Sequence, residues 1–226
     1  MRRCVADAAL AERDSEPHAT LFAAGIQEIV GRLPALERRT RRTVWNMQTA
    51  LTFDPEETIS PRLDDRSLGR GIQGQLLVDE YSERRNPLLV SLERGKVRVA
   101  PVFLRMLIVD ESIVVCEGPR TGSGDVTAWQ LRSPDLIRDA VQLWCETYAA
   151  SRAIKVPGRR LLTARQLEVA RALCLGETDQ QLARRLHVSV RSVERDAAAV
   201  LDYLGTRSRA EAVLTMVGRG RNSSSA

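Results

Sequence analysis

The imidazoles and thiols available for metal binding or nucleophilic chemistry are His18 and His187, with Cys4, Cys116, Cys145 and Cys174. No two cysteines are close enough in sequence to clasp zinc or to run dithiol exchange, and the histidines do not pair. Zinc hydrolysis, two-histidine phosphodiester chemistry and histidine-assisted nucleophiles are therefore not expected unless a partner chain contributes. The cysteines read as reduced thiols that fill space in a core. We assign no catalytic residue and expect no metal and no cofactor.

Arginine is the remaining source of chemistry. Arg191, Glu194, Arg195 and Ala198 recur at helical spacing along Val190–Leu204, with Asp202 further down the same side. Val190, Val193, Ala197, Val200, Leu201 and Leu204 form an apolar stripe opposite them, which predicts an amphipathic helix. Long charged groups around a small residue suit a helix that approaches base edges in a major groove, where a guanidinium donates to guanine and a carboxylate accepts from cytosine. Two alternatives stay open at this point: the arginines are plain solvated surface, or Glu194 pairs with Arg191 or Arg195 and reads nothing. His187 reads as a surface turn residue ahead of a pH switch.

Charge supports the nucleic-acid reading. The chain of 226 residues carries a formal net charge of +5, and from Lys155 onward 13 basic residues face 7 acidic ones, against 21 and 22 before that point. A basic segment beside a neutral one suggests a polyanion-binding module joined to a domain with another task. Pro157 and Gly158 interrupt the helical pattern in 151–160, so the expected division is a domain over 1–154, a second over 155–218 and a disordered Gly, Arg and Ser tail over 219–226. No apolar stretch has the roughly 18 residues a membrane span needs, because Arg98 and Arg105 interrupt the longest. The N-terminus acquires Asp7, Glu12 and Asp14 before a signal-peptide core forms. The expected location is cytoplasmic, without membrane contact.

Around the arginine-bearing segment the chain punctuates four helices. Thr163 with Gln166, Thr178 with Gln181 and Ser208 with Glu211 have capping-box spacing, and Ser189 stands ready to cap the third helix. The first helix, over 164–175, places Leu167, Ala170, Leu173 and Cys174 on one face and ends at Gly176. The second, over 179–186, turns Leu182, Ala183 and Leu186 inward. Only His187, Val188 and Ser189 separate it from the third, the length of a helix-turn-helix corner. Gly205 ends the third helix, and Ala210, Val213, Leu214 and Val217 line the apolar side of the fourth.

In order, these motifs resemble the LuxR-type DNA-binding domain of bacterial regulators. Over 162–213 the chain follows that family's Leu-Thr-x-Arg-Glu opening, with Gln166 at the last place, the glycine before the second helix, the start of the recognition helix, and the Leu-Gly and Ser-Arg-x-x-Ala steps into the last helix. The resemblance implies an all-α four-helix domain whose third helix enters the major groove of double-stranded DNA. Base-edge contacts then fall to Glu194, Arg195 and Ala198. Thr163, Arg191 and Ser192 fall near phosphates, and Arg209 joins the DNA-binding set. The fourth helix implies a homodimer contact through Ala210, Val213, Leu214 and Val217. Asp196 stands where the family usually has histidine, Tyr203 where a basic residue is common, and Ala199 where a polar one is. Asp196 and Asp202 are expected to repel phosphate.

The first domain alternates strand and helix patterns. TVWNMQ, GQLLVD and KVRVAPVF read as strands, SPRLDDRSLGRG and NPLLVSLERG as helices, and RMLIVDESIVVCEG as a hairpin turning at Asp110 and Glu111, before a closing helix that carries Leu143, Trp144 and Tyr148. This α/β layout is similar to the effector domain, related to phospholipase D and TrmB-type regulators, found ahead of LuxR-type domains. The similarity implies a degenerate phospholipase D-like sheet with flanking helices and without catalysis, since no histidine lies between His18 and His187. Asp64, Asp65, Asp110 and Lys155 offer a competing phosphorylation-receiver reading. Trp45, Trp129, Trp144 and Met47 are either core residues or the lining of a ligand pocket. Taken together, the chain is expected to be a homodimeric DNA-binding transcriptional regulator, with an unidentified small-molecule or protein signal at the first domain. The alternatives are a protein-interaction module with a degenerate helix-turn-helix, a receiver-like regulator, and an enzyme with an appended DNA-binding module.

Overall fold

The computed structural model describes residues 18–56, 66–93, 96–154 and 160–219. Cys4, Asp64, Asp65, Lys155 and the tail from 220 onward lie outside the described residues. Two compact bodies emerge, one drawn from 1–49, 59–79 and 98–152, the other from 50–58, 80–97 and 153–226. One division between the bodies falls between Arg152 and Ala153. The second body, however, also takes two earlier segments of the chain. Their apolar side chains are the reason, as the helical body shows below.

The first body carries the sheet. Its strands are β1 (Ala19–Ala24), β2 (Thr43–Gln48), β3 (Gln73–Val78), β4 (Val97–Val99), β5 (Met106–Val109), β6 (Ile113–Glu117), β7 (Thr127–Leu131) and β8 (Arg152–Ala153), in the order β1-β7-β6-β5-β2-β3-β4-β8. Strand β2 runs parallel to β3 and antiparallel to β5, and β5-β6, β6-β7 and β7-β1 are all antiparallel, so the sheet is mixed. Helices α1 (Ile26–Arg39) and α4 (Pro134–Ala149) accompany it. Strand β5 and the last three residues of β3, Leu76, Leu77 and Val78, are apolar runs instead of alternating patterns, because these residues lie in the interior of the sheet.

Met47 and Trp144 lie in the core, and the partly buried Trp45 and Trp129 pack against it. Met47 and Trp144 are each 2% exposed, among Leu77, Met106, Ile108 and Leu131. Trp45 stacks on Trp144 with centroids 5.5 Å apart, and Trp144 stacks on Tyr148 at 6.1 Å. Trp129 donates from Nε1 to Thr127 Oγ1 at 3.0 Å, and its indole fills the space in which a Cβ on Gly118 would sit. Of the two readings of these four residues, core or pocket lining, the packing supports core for Met47 and Trp144. Cys116 is buried, and burial pushes its thiol up to about 12; burial likewise raises Cys174, to about 11. Neither carries thiolate reactivity at neutral pH, while Cys145 is exposed.

The β5-β6 hairpin turns through Asp110 and Glu111, both left-handed with φ of 50° and 57°, as a tight primed turn requires. The Asp110 carboxylate reaches back to the entry of β2. It accepts the backbone N–H groups of Arg41, Arg42 and Thr43 at 2.9, 2.7 and 2.9 Å. Burial opposes ionisation, yet these donors outweigh it and hold the carboxyl below the usual aspartate range. A phosphate acceptor needs a free carboxylate at the end of a parallel strand. Here both oxygens are occupied and β5 is antiparallel to β2, which overturns the receiver reading. A depressed folded-state pKa gives stability that is present above the unfolded value and lost as pH falls through the folded one. Asp110→Asn keeps a residue that tolerates left-handed backbone, so it isolates the charge. It is expected to cost about 1 kcal/mol at neutral pH after solvent screening. Denaturant titrations should show the gap from wild type closing below roughly pH 4.

Candidate nucleic-acid interface

The helical body contains α2 (Glu80–Arg85), α3 (Leu89–Leu92), α5 (Ala164–Cys174), α6 (Asp179–Leu186), α7 (Val190–Leu204) and α8 (Arg209–Met216). Thr163 and Thr178 form complete capping boxes with Gln166 and Gln181. The third box is displaced. Ser208 accepts the Glu211 N–H, but the Glu211 carboxylate takes the N–H of Arg207 at 2.9 Å. Between α6 and α7 the corner is set by His187, left-handed at φ 54°, and by Val188 N–H donating to Ala183 O at 3.0 Å, a Schellman-type closure. Ser189 then caps α7 through the Ser192 N–H at 3.2 Å.

Two apolar clusters fix α7. In the first, Val169, Ala172, Leu182, Ala183, Val193 and Ala197 join α5, α6 and α7. In the second, Ala170, Val200, Tyr203 and Met216 join α5, α7 and α8 with Phe53 and Leu88 from the two earlier segments. Helix α5 is thus buried on two sides, whereas the sequence periodicity suggested one. Polar contacts bind the earlier segments as well. Ser82 Oγ accepts the Leu51 N–H at 2.8 Å, Ser91 Oγ accepts the Leu162 N–H at 3.1 Å, and Arg85 donates to the Gly218 carbonyl.

This packing turns one side of α7 outward. Arg191, Glu194, Arg195 and Ala198 are exposed, and among the described residues neither arginine forms an ion pair, with Glu194 or with any other carboxylate. Ser192 is half-buried and shares a 2.9 Å contact with the Ser189 hydroxyl. Thr163 is exposed at the start of α5, where its Oγ1 accepts the Gln166 N–H. Arg209 is engaged differently: Nη1 and Nη2 grip Asp179 Oδ1 and Oδ2 at 2.7 Å each. The hydrogen bonds raise the Arg209 pKa and lower that of Asp179. Arg209 therefore ties α8 to the start of α6. Val190, assigned to the inward stripe, is 38% exposed. An open depression of about 690 Å³ lies at the corner, lined by Ala183, Arg184, His187, Val188 and Ser189 among others.

Asp196 requires a correction. Its side chain is buried, and Arg165 holds it from Nε at 2.6 Å and from Nη2 at 3.3 Å. The charge faces α5, and the pair locks α7 to the first helix of the domain. Sequence reasoning missed Arg165 as the partner because the two lie 31 positions apart; its place in the Leu-Thr-x-Arg motif was the available signal. Asp202 is exposed. On α8, Ala210, Leu214 and Val217 are exposed, with Leu214 at 49%, whereas Val213 packs in part against the second cluster.

Two short helices meeting at a three-residue corner, the second capped and presenting charged groups outward, define a helix-turn-helix module. Residues 160–216 match the family described as bacterial regulatory proteins, luxR family, and that part of the chain is a LuxR-family helix-turn-helix domain, which supports a DNA-binding regulator. No curated protein matches the chain. Among solved structures, it is similar to the archaeal chromatin protein TrmBL2, at 12% identity and a TM-score of 0.45, covering 65% of this chain and 58% of that one. It is also similar to Nuc, a phospholipase D family member from Salmonella typhimurium, at 13% identity and a TM-score of 0.45, covering 61% and 99%. VqmA of Vibrio cholerae, solved with ligand and DNA, gives 22% identity and a TM-score of 0.27 over 58% and 59%. The chain thus spans less than two thirds of the length of TrmBL2.

Proposed function

We propose that this chain is a sequence-specific transcriptional regulator that acts as a homodimer in the cytoplasm, with α7 in the major groove of duplex DNA. Arg195, Glu194 and Ala198 face base edges, and Arg191, Ser192 and Thr163 lie near phosphates. Arg209 serves this surface through its grip on Asp179. Ala210, Leu214 and Val217, with the edge of Val213, supply the twofold contact, and the sheet body sets dimerisation or receives a signal. Among the described residues no helix is long and apolar enough to cross a membrane. The observation that carries the reading is the pair of exposed arginines, without ion-pair partners among the described residues, on the outward side of a capped α7 within a LuxR-family domain. The competing view, a degenerate module that docks protein, drew on phosphate repulsion by Asp196 and Asp202; Arg165 sequesters the charge of Asp196, and Asp202 stays exposed.

Band shifts of the full chain on duplex DNA over a salt series test the proposal. Affinity is expected to fall steeply with salt, log K losing about 0.9 per decade of salt for each phosphate contacted. An affinity indifferent to salt, or no binding at low ionic strength, rejects it.

A further inference from the structure

The sheet body carries a second concentration of positive charge that the helix-turn-helix does not use. Arg38 and Arg39 close the last turn of α1, and Arg41 and Arg42 follow at once, ahead of β2. All four are exposed. The chain brings more arginine to the same end of the sheet. Gln73 N–H donates to Arg42 O at 2.8 Å, and the turn that begins at the exposed Arg66 is held to α1 by Arg70 donating to Glu37 at 2.7 Å.

The carboxylates at this end are largely committed. Glu37 is taken by Arg70, and Asp110 by the backbone N–H groups of 41–43; among the described residues Glu111 at the hairpin turn is a further acid. Among the described residues Arg38, Arg39, Arg41, Arg42 and Arg66 form no ion pair with any carboxylate. Two arginines in a last turn favour the helix C-terminus by about 0.3–1 kcal/mol each. That accounts for Arg38 and Arg39 but not for two more immediately after them. Like charges at this density repel one another and cost stability unless a polyanion neutralises them.

A protein partner needs apolar or aromatic anchors within its interface. Among the described residues the large exposed apolar side chains are Leu21, Ile26, Tyr81, Phe103, Leu161, Leu175, Val190, Leu214 and Val217, and none belongs to the end of α1, the 66–71 turn or the hairpin. The described part of this surface offers charge without apolar anchors, which suits a sugar-phosphate backbone. We infer that the cluster of Arg38, Arg39, Arg41 and Arg42 is a second, sequence-independent contact surface for the phosphates of double-stranded DNA. The inference rests on the regulator reading only in that a duplex held by α7 is present at high effective concentration for the same chain.

The test uses the full chain, a labelled duplex of about 60 base pairs, long enough to run well past a 10-base-pair half-site turn, and a salt series read by fluorescence anisotropy. The combined variant Arg38→Gln, Arg39→Gln, Arg41→Gln and Arg42→Gln is compared with wild type and with the matching four-lysine variant. The glutamine variant is expected to flatten the slope of log K against log salt by about 2–4, at about 0.9 per lost phosphate contact, and to bind at least about tenfold more weakly in low salt. The lysine variant should keep the wild-type slope. Circular dichroism of each variant should match wild type, since the four side chains are exposed. An unchanged slope in the folded glutamine variant overturns the inference and leaves the α7 reading intact. A slope that depends on the four arginines but not on Arg191 and Arg195 upholds the inference and rejects the α7 reading. Absence of salt-dependent binding in wild type rejects both. Binding of polyglutamate that is lost in the glutamine variant, with an unaltered DNA slope, assigns the surface to acidic proteins and overturns the inference.

Discussion

Leu88→Ala is expected to lower the unfolding free energy of the helical body by about 2–5 kcal/mol, the range for removing a buried leucine and leaving a cavity. Leu88 is 0% exposed and lies in the cluster with Phe53, Ala170, Val200 and Met216. A body with a total stability of roughly 5–15 kcal/mol loses a large share of it through that one change. Chemical denaturation followed by helical circular dichroism gives the measurement, with Leu214→Ala as the exposed comparison, expected within about 0.5 kcal/mol of wild type. A loss below about 0.5 kcal/mol for Leu88→Ala shows that the early segments are not part of the DNA-binding fold. The same packing indicates that a fragment beginning at residue 155 is a poor reagent, because it lacks Phe53, Leu88 and Leu92 and leaves their partners on α5, α7 and α8 open to water.

Arg195→Ala is expected to reduce discrimination between cognate and unrelated duplex by about 1–3 kcal/mol, or roughly 5- to 150-fold, if its guanidinium takes a guanine edge in the bidentate manner. The side chain is available for this role: it is exposed and carries no intramolecular ion pair among the described residues. Arg191→Ala should instead weaken cognate and unrelated duplex alike and reduce the salt slope by about 1. Competition titrations at fixed salt separate the two behaviours. Equal discrimination by wild type and Arg195→Ala removes Arg195 from the base-reading set.

The helix-turn-helix was legible because its determinants are local. Thr163 and Thr178 sit three residues from the glutamines that complete their boxes, Gly205 ends α7, and the corner residues are contiguous; α6 and α7 accordingly begin and end where the sequence places them. The β5-β6 hairpin was legible for the same reason. What escaped depends on partners distant in sequence. Asp196 looked like a liability until Arg165 was placed beside it, and Arg209 looked available until Asp179 was. Strands β1 and β7 went unread because they pair with each other across more than 100 positions, and no turn joins them. Helix α1 went unread because Gly31 and Pro34 depress its local helix preference. Loyalty of Phe53 and Leu88 to the helical body has no local signature, since nothing in their neighbouring residues distinguishes one hydrophobic destination from another.

The borrowing of 50–58 and 80–97 by the C-terminal helices sets an order of events during synthesis. Leu88 is translated well ahead of Ala164, the first residue of α5, by about 4–15 s at roughly 5–20 residues per second. In that interval Phe53 and Leu88 lack the helices that will enclose them, and the nascent chain presents sticky surface of the kind that chaperones bind. Completion of the fold therefore waits on translation of the final helix, so premature termination or slow elongation late in the message should yield insoluble product in place of a working fragment.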